Sequence, residues 1–105
     1  MSGDAEDDRV LLRTVVRGRV QGVGYRAWTQ HQAELHEVEG WVRNLSDGSV
    51  EAVLAGPVER VRQVVRAMGE GPRGAGVEAV EEHPVTAREA GPLDGFEVRR
   101  TAEPD

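Results

Sequence analysis

The sequence predicts an α+β fold in which an antiparallel sheet carries two helices on one face. Strand-like and helix-like patterns follow one another in the order strand, helix, strand, strand, helix, strand. An Asp-Gly turn signal at 47–48 joins the middle two strands, and a regular apolar helical stripe follows them. Two strand–helix–strand halves of this kind form a βαββαβ sandwich, the ferredoxin-like arrangement.

The first half begins with a strand predicted over residues 10–16, which are mostly apolar and β-branched. Leu12, Thr14 and Val16 share one face and the opposite face is polar, so one face of this strand is expected to be covered. Residues 18–24 contain three glycines and predict a loop, and a helix is predicted to follow. The helix spans residues 26–35, with a weak apolar stripe of Ala27, Trp28, His31 and Leu35.

A hairpin is predicted in the middle of the chain. Residues 38–45 and 49–55 are strand-like and are separated by Ser-Asp-Gly at 46–48. Glycine tolerates the positive φ that tight hairpin turns require, so this sequence is a strong turn signal.

The second helix begins near Pro57, and its apolar residues recur every three or four positions. These residues are Val58, Val61, Val64, Val65 and Met68. Gly-Glu-Gly-Pro at 69–72 ends the helix, and residues 77–83 and 96–99 predict the last strands.

The net charge is concentrated at the two ends of the chain. The 105 residues include 13 basic and 19 acidic ones, for a formal charge of −6. Four of the acidic residues lie in 1–8 and two in 103–105, so the remaining 13 balance the 13 arginines. We therefore predict one folded domain over residues 10–101. A disordered acidic N-terminal tail over residues 1–9 and a short acidic C-terminal tail over 102–105 are expected to be dispensable.

The composition also excludes several function classes. Without cysteine the chain has no disulfide, thiolate ligand or cysteine nucleophile, and without lysine it has no Schiff-base or Walker-type lysine. It contains no run of about 18 apolar residues and its N-terminus is acidic, unlike a signal peptide. We expect a cytoplasmic protein with no membrane or nucleic-acid partner. An RNA-recognition surface would need stacking aromatics, and residues 12–16 have none.

The glycine-rich loop is the first candidate site. Residues 18–26 read GRVQGVGYR and lead into a helix, whose first four N–H groups have no intrahelical partner. Gly22 and Gly24 would let successive N–H groups converge on one anion, and Arg26 would add bidentate contacts to phosphoryl oxygens. Alternatively, the glycines only form a tight turn and Arg26 is a solvated cation. The loop lacks the spacing of a dinucleotide or Walker A motif.

Asn44 is the second candidate. Taken alone, an Asn before Asp-Gly is typical of a turn. Together with the loop it belongs to a longer pattern: VxGxVQGVxYR at 16–26, followed by Gly-Trp-Val-x-Asn at 40–44. This pattern closely resembles the acylphosphatase family, and the resemblance runs from about residue 12 to residue 99.

The resemblance implies hydrolysis of the carboxyl–phosphate anhydride of small acyl phosphates to a carboxylate and inorganic phosphate, without metal or cofactor. Arg26 matches the family's phosphate-binding arginine, and Asn44 matches the asparagine that positions the attacking water. The family's phosphate-binding loop, a cradle of backbone amides, matches Arg19, Val20, Gln21, Gly22, Val23, Gly24 and Tyr25. Gln21 is expected to hold the loop in shape and Tyr25 to buttress it. The expected partner is a small-molecule acyl phosphate, and the expected state is a monomer.

One departure and one alternative accompany this resemblance. The family commonly ends its first helix in Leu-Gly-Leu, whereas His36-Glu37-Val38 stands here, without the glycine expected in a left-handed cap. His36 is expected near the last helical carbonyls, partly exposed and not as a metal ligand.

The alternative function is a non-catalytic phosphate- or acyl-phosphate-binding or accessory domain of the same fold. The presence of both Arg26 and Asn44 favours catalysis, since binding alone would need only Arg26.

Overall fold

A computed structural model describes residues 8–104, so residues 1–7 of the predicted N-terminal tail and residue 105 lie outside the described part. Eight elements follow one another: β1 (Arg9–Arg19), α1 (Tyr25–Leu35), β2 (Glu39–Asn44), β3 (Val50–Pro57), α2 (Val58–Glu70), β4 (Gly76–Pro84), α3 (Ala87–Ala90) and β5 (Phe96–Val98). The predicted order is confirmed, and α3 is an addition that the sequence pattern does not predict. None of the helices within residues 8–104 has the length and apolar character that a membrane span requires.

The sheet has five strands in the order β4-β1-β3-β2-β5. The pairs β1–β3, β1–β4 and β2–β3 are antiparallel, as predicted. β5 pairs in parallel with β2, placing Val98 opposite Val42, so the prediction of a wholly antiparallel sheet is wrong at this edge. The segment containing α3 carries the chain from one edge of the sheet to the other, and β5 then enters the sheet in the direction of β2. The fold is still the ferredoxin-like α+β sandwich.

The main core lies between the sheet and the two long helices. On α2, Val61, Val64 and Met68 are buried, which confirms the apolar stripe predicted there. They pack against sheet residues such as Val16 and Leu54, both fully buried. Burying a side chain of this size stabilises the fold by about 1.5–3 kcal/mol relative to leaving it exposed, so this layer is the main source of stability.

A second, smaller cluster covers the opposite face of the sheet. Trp41, Val53 and Ala90 are buried there, and the Trp41 indole N–H donates to the Ala90 carbonyl at 3.1 Å. Ala90 belongs to α3, which therefore lies over the face that the sequence predicts to be polar. Val15 on this face is only 3% exposed. The expectation of one covered face on β1 is thus too simple, because a distant segment covers the second one.

The buried face of α1 also differs from the predicted stripe. Tyr25, Thr29 and Ala33 are the buried residues, at a spacing of four. Of the predicted stripe, Ala27, His31 and Leu35 are exposed and Trp28 is half-buried. Tyr25 sets the rotation of the helix, since its hydroxyl reaches into the core and donates to the Met68 carbonyl at 2.7 Å.

Both predicted tails contain residues that are part of the folded structure. Arg9 is the first residue of β1, and the carbonyl of Asp8 accepts a hydrogen bond of 2.9 Å from the Val58 amide. At the other end, the Ala102 amide donates to the Asn44 carbonyl at 3.0 Å. The domain boundaries predicted at 10 and 101 are therefore too narrow, because backbone partners are available beyond them.

Candidate active site

The loop between β1 and α1 presents unpaired amide groups. Gly22 and Gly24 have φ of 77° and 79°, in the left-handed region that glycine adopts without strain. In the part of the chain that the structure describes, the N–H groups of residues 21–25 have no hydrogen-bond acceptor. Such a loop of exposed N–H groups can bind a small anion.

Gln21 ties this loop to the β2–β3 hairpin. Its side-chain amide nitrogen donates to the carbonyls of Leu45 and Ser49, each at 2.8 Å. These two hydrogen bonds hold the loop against the hairpin turn. The expectation that Gln21 holds the loop in shape rather than taking part in the chemistry agrees with these two bonds.

The N-terminus of α1 adjoins the same loop and is open. Gly24 is its N-cap residue, no side chain caps it, and its first turn contains no acidic residue. The contrast with α2 is informative: there the Val58 amide donates to the Asp8 carbonyl and Glu59 lies in the first turn. The partial positive charge at a helix N-terminus favours an anion, and on α1 no protein group described here neutralises it.

Arg26 lies in the first turn of α1 and is half-buried. One of its terminal nitrogens, Nη1, donates to the carbonyl of Arg99 at 3.4 Å. This contact holds one edge of the guanidinium against the segment after β5. A cation at the positive end of a helix is unfavourable unless an anion lies nearby, so the placement of Arg26 favours anion binding at this helix end.

Asn44 is the last residue of β2. Its backbone is held on both sides, by pairing with Val50 of β3 and by the bond from Ala102. Its side-chain Oδ1 is buried and has no partner among residues 8–104. Thr29 Oγ1 is the other buried side-chain oxygen without a partner in this range, but of the two residues only Asn44 lines the cleft described below.

These features meet in one cleft of about 250 Å³. It is lined by Val20, Gln21, Gly22, Gly24, Tyr25, Arg26, Ala27, Asn44 and Val98. The structure thus brings together the two predicted site residues, which are 18 positions apart in the sequence. Of the predicted loop, Arg19 is exposed at the end of β1 and the Val23 side chain packs against the main core, so neither lines the cleft.

Tyr25 is a buried residue of the cleft lining. It is 1% exposed, and burial raises the pKa of its phenol well above the usual value. A phenol that is neutral and already donates to the Met68 carbonyl is poorly suited to acid–base work. The expected buttress role of Tyr25 agrees with this environment.

The three histidines lie apart from the cleft. His31 is exposed, His36 follows the end of α1 as expected, and His83 lies 3.3 Å from Glu81 on β4. Within residues 8–104 no three His, Asp or Glu side chains converge as metal ligands would.

Two larger cavities lie elsewhere, one of about 540 Å³ beside β1 and α2 and one of about 490 Å³ over the opposite sheet face. The first is lined by six apolar residues together with Arg62, Arg66 and Glu82, and at the α2 N-terminus beside it the Val58 amide already donates to the Asp8 carbonyl. In the second, Glu51 is bonded to both Arg13 and Arg43 at 2.6 Å. We assign the site to the smaller cleft, because open amides, a guanidinium and an unpaired acceptor converge only there among the three.

Two groups at the site belong to no motif in the sequence and could not be predicted from it. Val98 and the carbonyl of Arg99 belong to the chain around β5, far from the loop in sequence. They reach the cleft only because β5 pairs with β2.

The fold and the cleft define a class: a small α+β sandwich with a cleft lined by open backbone amides at the start of its first helix. A family model described as acylphosphatase matches residues 12–98. An acylphosphatase of Nitrobacter hamburgensis is 52% identical over 80 residues, 76% of this chain and 81% of that protein. One of Pseudomonas aeruginosa is 46% identical over 92 residues, 88% of this chain and 98% of that protein.

A solved acylphosphatase structure from Coxiella burnetii superposes with a TM-score of 0.80 at 31% identity, covering 94% of this chain and 100% of that one. The chain belongs to the acylphosphatase family. This confirms the resemblance carried by the loop and the Gly-Trp-Val-x-Asn segment. It also supports the catalytic interpretation over a binding-only domain, since the family is one of hydrolases acting on acid anhydrides.

Proposed function

We propose that this protein hydrolyses small acyl phosphates at the cleft between the β1–α1 loop and the end of β2. The observation that carries the proposal is the convergence in one cleft of the Arg26 guanidinium, the open loop amides and the unpaired Asn44 Oδ1. The first two can bind the phosphoryl oxygens, and the third can accept a hydrogen bond from water.

In the proposed reaction, a water oxygen attacks phosphorus while the bond from phosphorus to the acyl oxygen breaks. The leaving group departs as a carboxylate, and both water protons remain on the phosphate product. Asn44 has no useful basicity, so its role is to orient the water through Oδ1. A carboxylate is a good leaving group, and phosphoryl transfer needs positioning and charge stabilisation more than a strong base.

Charge stabilisation is assigned to Arg26 and to the loop amides. A preorganised donor that contacts developing charge contributes about 10²- to 10³-fold in rate, and a bidentate guanidinium contributes a stronger, charge-assisted contact. Backbone amides need no side-chain reorganisation, and Gln21 keeps their loop fixed to the hairpin. The loop from Arg19 to Tyr25 is thus proposed as the phosphate-binding loop, with residues 21–25 supplying its free N–H groups.

The proposal extends to the setting of the enzyme. We infer a monomer that acts in the cytoplasm on small-molecule acyl phosphates, with no nucleic-acid or membrane partner. The neutral balance of the central part of the chain supports this view, since it offers no excess of basic charge to a polyanion. Light scattering after gel filtration and fractionation of cells that express the protein test these two points.

The decisive experiment is hydrolysis of benzoyl phosphate by the purified protein, with chelator present and phenyl phosphate as a monoester control. We expect the anhydride alone to be cleaved, and Arg26→Ala to reduce kcat/KM by at least about 10²-fold. Arg73→Ala, which removes an exposed arginine outside the cleft, serves as the matched control. Full activity of Arg26→Ala would reject its assignment. A folded wild-type protein that binds phosphate without turnover would instead support the binding-only alternative.

A further inference from the structure

The walls of the cleft differ in chemistry. Besides the polar groups discussed above, the lining includes the apolar side chains of Val20, Ala27 and Val98. At about 30 Å³ per water, a cleft of about 250 Å³ holds roughly eight water volumes, which is more than a phosphate alone requires. The apolar part therefore has room for another portion of the substrate.

Val98 is the most exposed branched residue of this wall. It is 42% exposed, whereas Val20 is 1% exposed and belongs to the main core. Within the described residues only one other large apolar side chain is exposed, Leu35 at 63%, and it does not line the cleft. Val98 is thus an apolar surface that is both accessible and inside the site.

The sheet register places Val98 beside the reacting groups. Val98 pairs with Val42, and Asn44 follows Val42 by two positions on the same strand. Alternate residues of a strand share a face, so Val98 and Asn44 lie on the same side of the sheet on adjacent strands. The next residue, Arg99, supplies the carbonyl that anchors Arg26. Arg26 and Val98 line the same cleft, so a phosphoryl group bound by Arg26 would lie in the cleft that the Val98 side chain also lines.

We propose that Val98, together with Ala27, forms the acyl-binding wall of the site and makes the enzyme prefer acyl phosphates with an apolar acyl group. This inference rests on the proposed function and names the substrate class that function would take. Its physical basis is removal of apolar acyl surface from water against the valine methyl groups. A short acyl group such as acetyl offers less surface to bury and gains less from the same contact.

The test is the ratio of kcat/KM for benzoyl phosphate to kcat/KM for acetyl phosphate. Val98→Thr keeps the shape and β-propensity of the side chain and replaces one methyl group with a hydroxyl. We expect the ratio to fall about fivefold, mainly through a higher KM for benzoyl phosphate. Val98→Ala is expected to lower it in the same direction. Leu35→Thr, which replaces the other exposed large apolar side chain with a hydroxyl-bearing one outside the cleft, is expected to leave the ratio at the wild-type value.

An unchanged ratio in both Val98 variants would overturn the inference while leaving the proposed function intact. An equal loss on both substrates would also overturn it, because it would show a general structural role. Failure of the proposed function is distinguishable, since the wild-type protein would then hydrolyse neither substrate.

Discussion

At the scale of single residues, Asn44 combines a firmly held backbone with a side-chain oxygen that no protein group bonds. Its backbone is fixed by Val50 on one side and Ala102 on the other, while its buried Oδ1 has no partner in the described chain. The protein itself therefore supplies no hydrogen bond to this acceptor, and in the proposed reaction the attacking water donates to it.

Asn44→Ala is accordingly expected to separate activity from stability. The variant loses the acceptor that orients water, so kcat/KM for benzoyl phosphate should fall by about 10²- to 10³-fold. It removes no hydrogen bond that the protein makes to this oxygen, so the thermal unfolding midpoint should change little. Kinetics and thermal unfolding on the same preparation check both. A fall in the midpoint that matches the loss of activity would indicate a structural role for Asn44 instead.

At the scale of elements, the β2–β3 turn and the end of α1 differ in how well their local conformation is stabilised. The β2–β3 turn is well made: Asp47 accepts from the backbone and side chain of Ser49 at 2.9 and 2.5 Å. The hydroxyl bond is the largest cause of the lowered pKa of the Asp47 carboxyl. The end of α1 is less favourable. Glu37 has φ of 58° there, the one positive value outside glycine among the residues described.

Glu37→Gly is expected to stabilise the protein, because glycine adopts the left-handed conformation without a Cβ penalty. Glu37 also pairs with Arg60 at 2.6 Å on an exposed surface, a contact worth about 0–1 kcal/mol. Glu37→Ala loses the same ion pair but keeps the strained conformation, so it is the proper reference. A left-handed residue with a Cβ costs about 1–2 kcal/mol and the greater chain entropy of glycine offsets part of this, so we expect the glycine variant to exceed the alanine variant by about 0.5–1 kcal/mol, or about 2–5 °C in Tm. Equal midpoints for the two variants would show that the junction is not strained.

At the scale of the whole molecule, the segment that follows β5 contacts the site residues and holds them in place. Arg99 donates its amide to the Val42 carbonyl and offers its own carbonyl to Arg26. Its guanidinium lies over the Trp41 ring at 4.8 Å from the centroid, which anchors the segment to the opposite face of the sheet. Ala102 then bonds to Asn44. One segment thus contacts both proposed catalytic residues.

Truncations at two positions test this arrangement. A chain that ends at Ala102 keeps these contacts and should retain kcat/KM for benzoyl phosphate within about twofold. A chain that ends at Val98 loses them, and we expect a fall of at least about tenfold, since small displacements of catalytic groups are costly. Circular dichroism of both chains controls for folding. Equal activity of the two would show that the segment does not position the site.

The sequence by itself determined the features that depend on a short window of residues. The stripe of α2, the Asp-Gly hairpin and the run from Gly18 to Arg26 each follow from local periodicity or turn chemistry. The pairing of that loop with Asn44 was recognisable because both segments form one family pattern. The bonds of Gln21 to the Leu45 and Ser49 carbonyls, in contrast, follow from no local pattern of the sequence.

The surfaces with which these local elements pack against one another depend on the tertiary structure and were not predictable from local sequence. The buried face of α1 depends on Tyr25 reaching Met68 on another helix, so its own sequence predicted the wrong stripe. The parallel entry of β5 brings Val98 and Arg99 to the cleft. Pairings between segments so far apart in sequence depend on which strand closes the edge of the sheet. The packing of the whole molecule determines which strand pairs at this edge, and this cannot be predicted from a short window of the sequence.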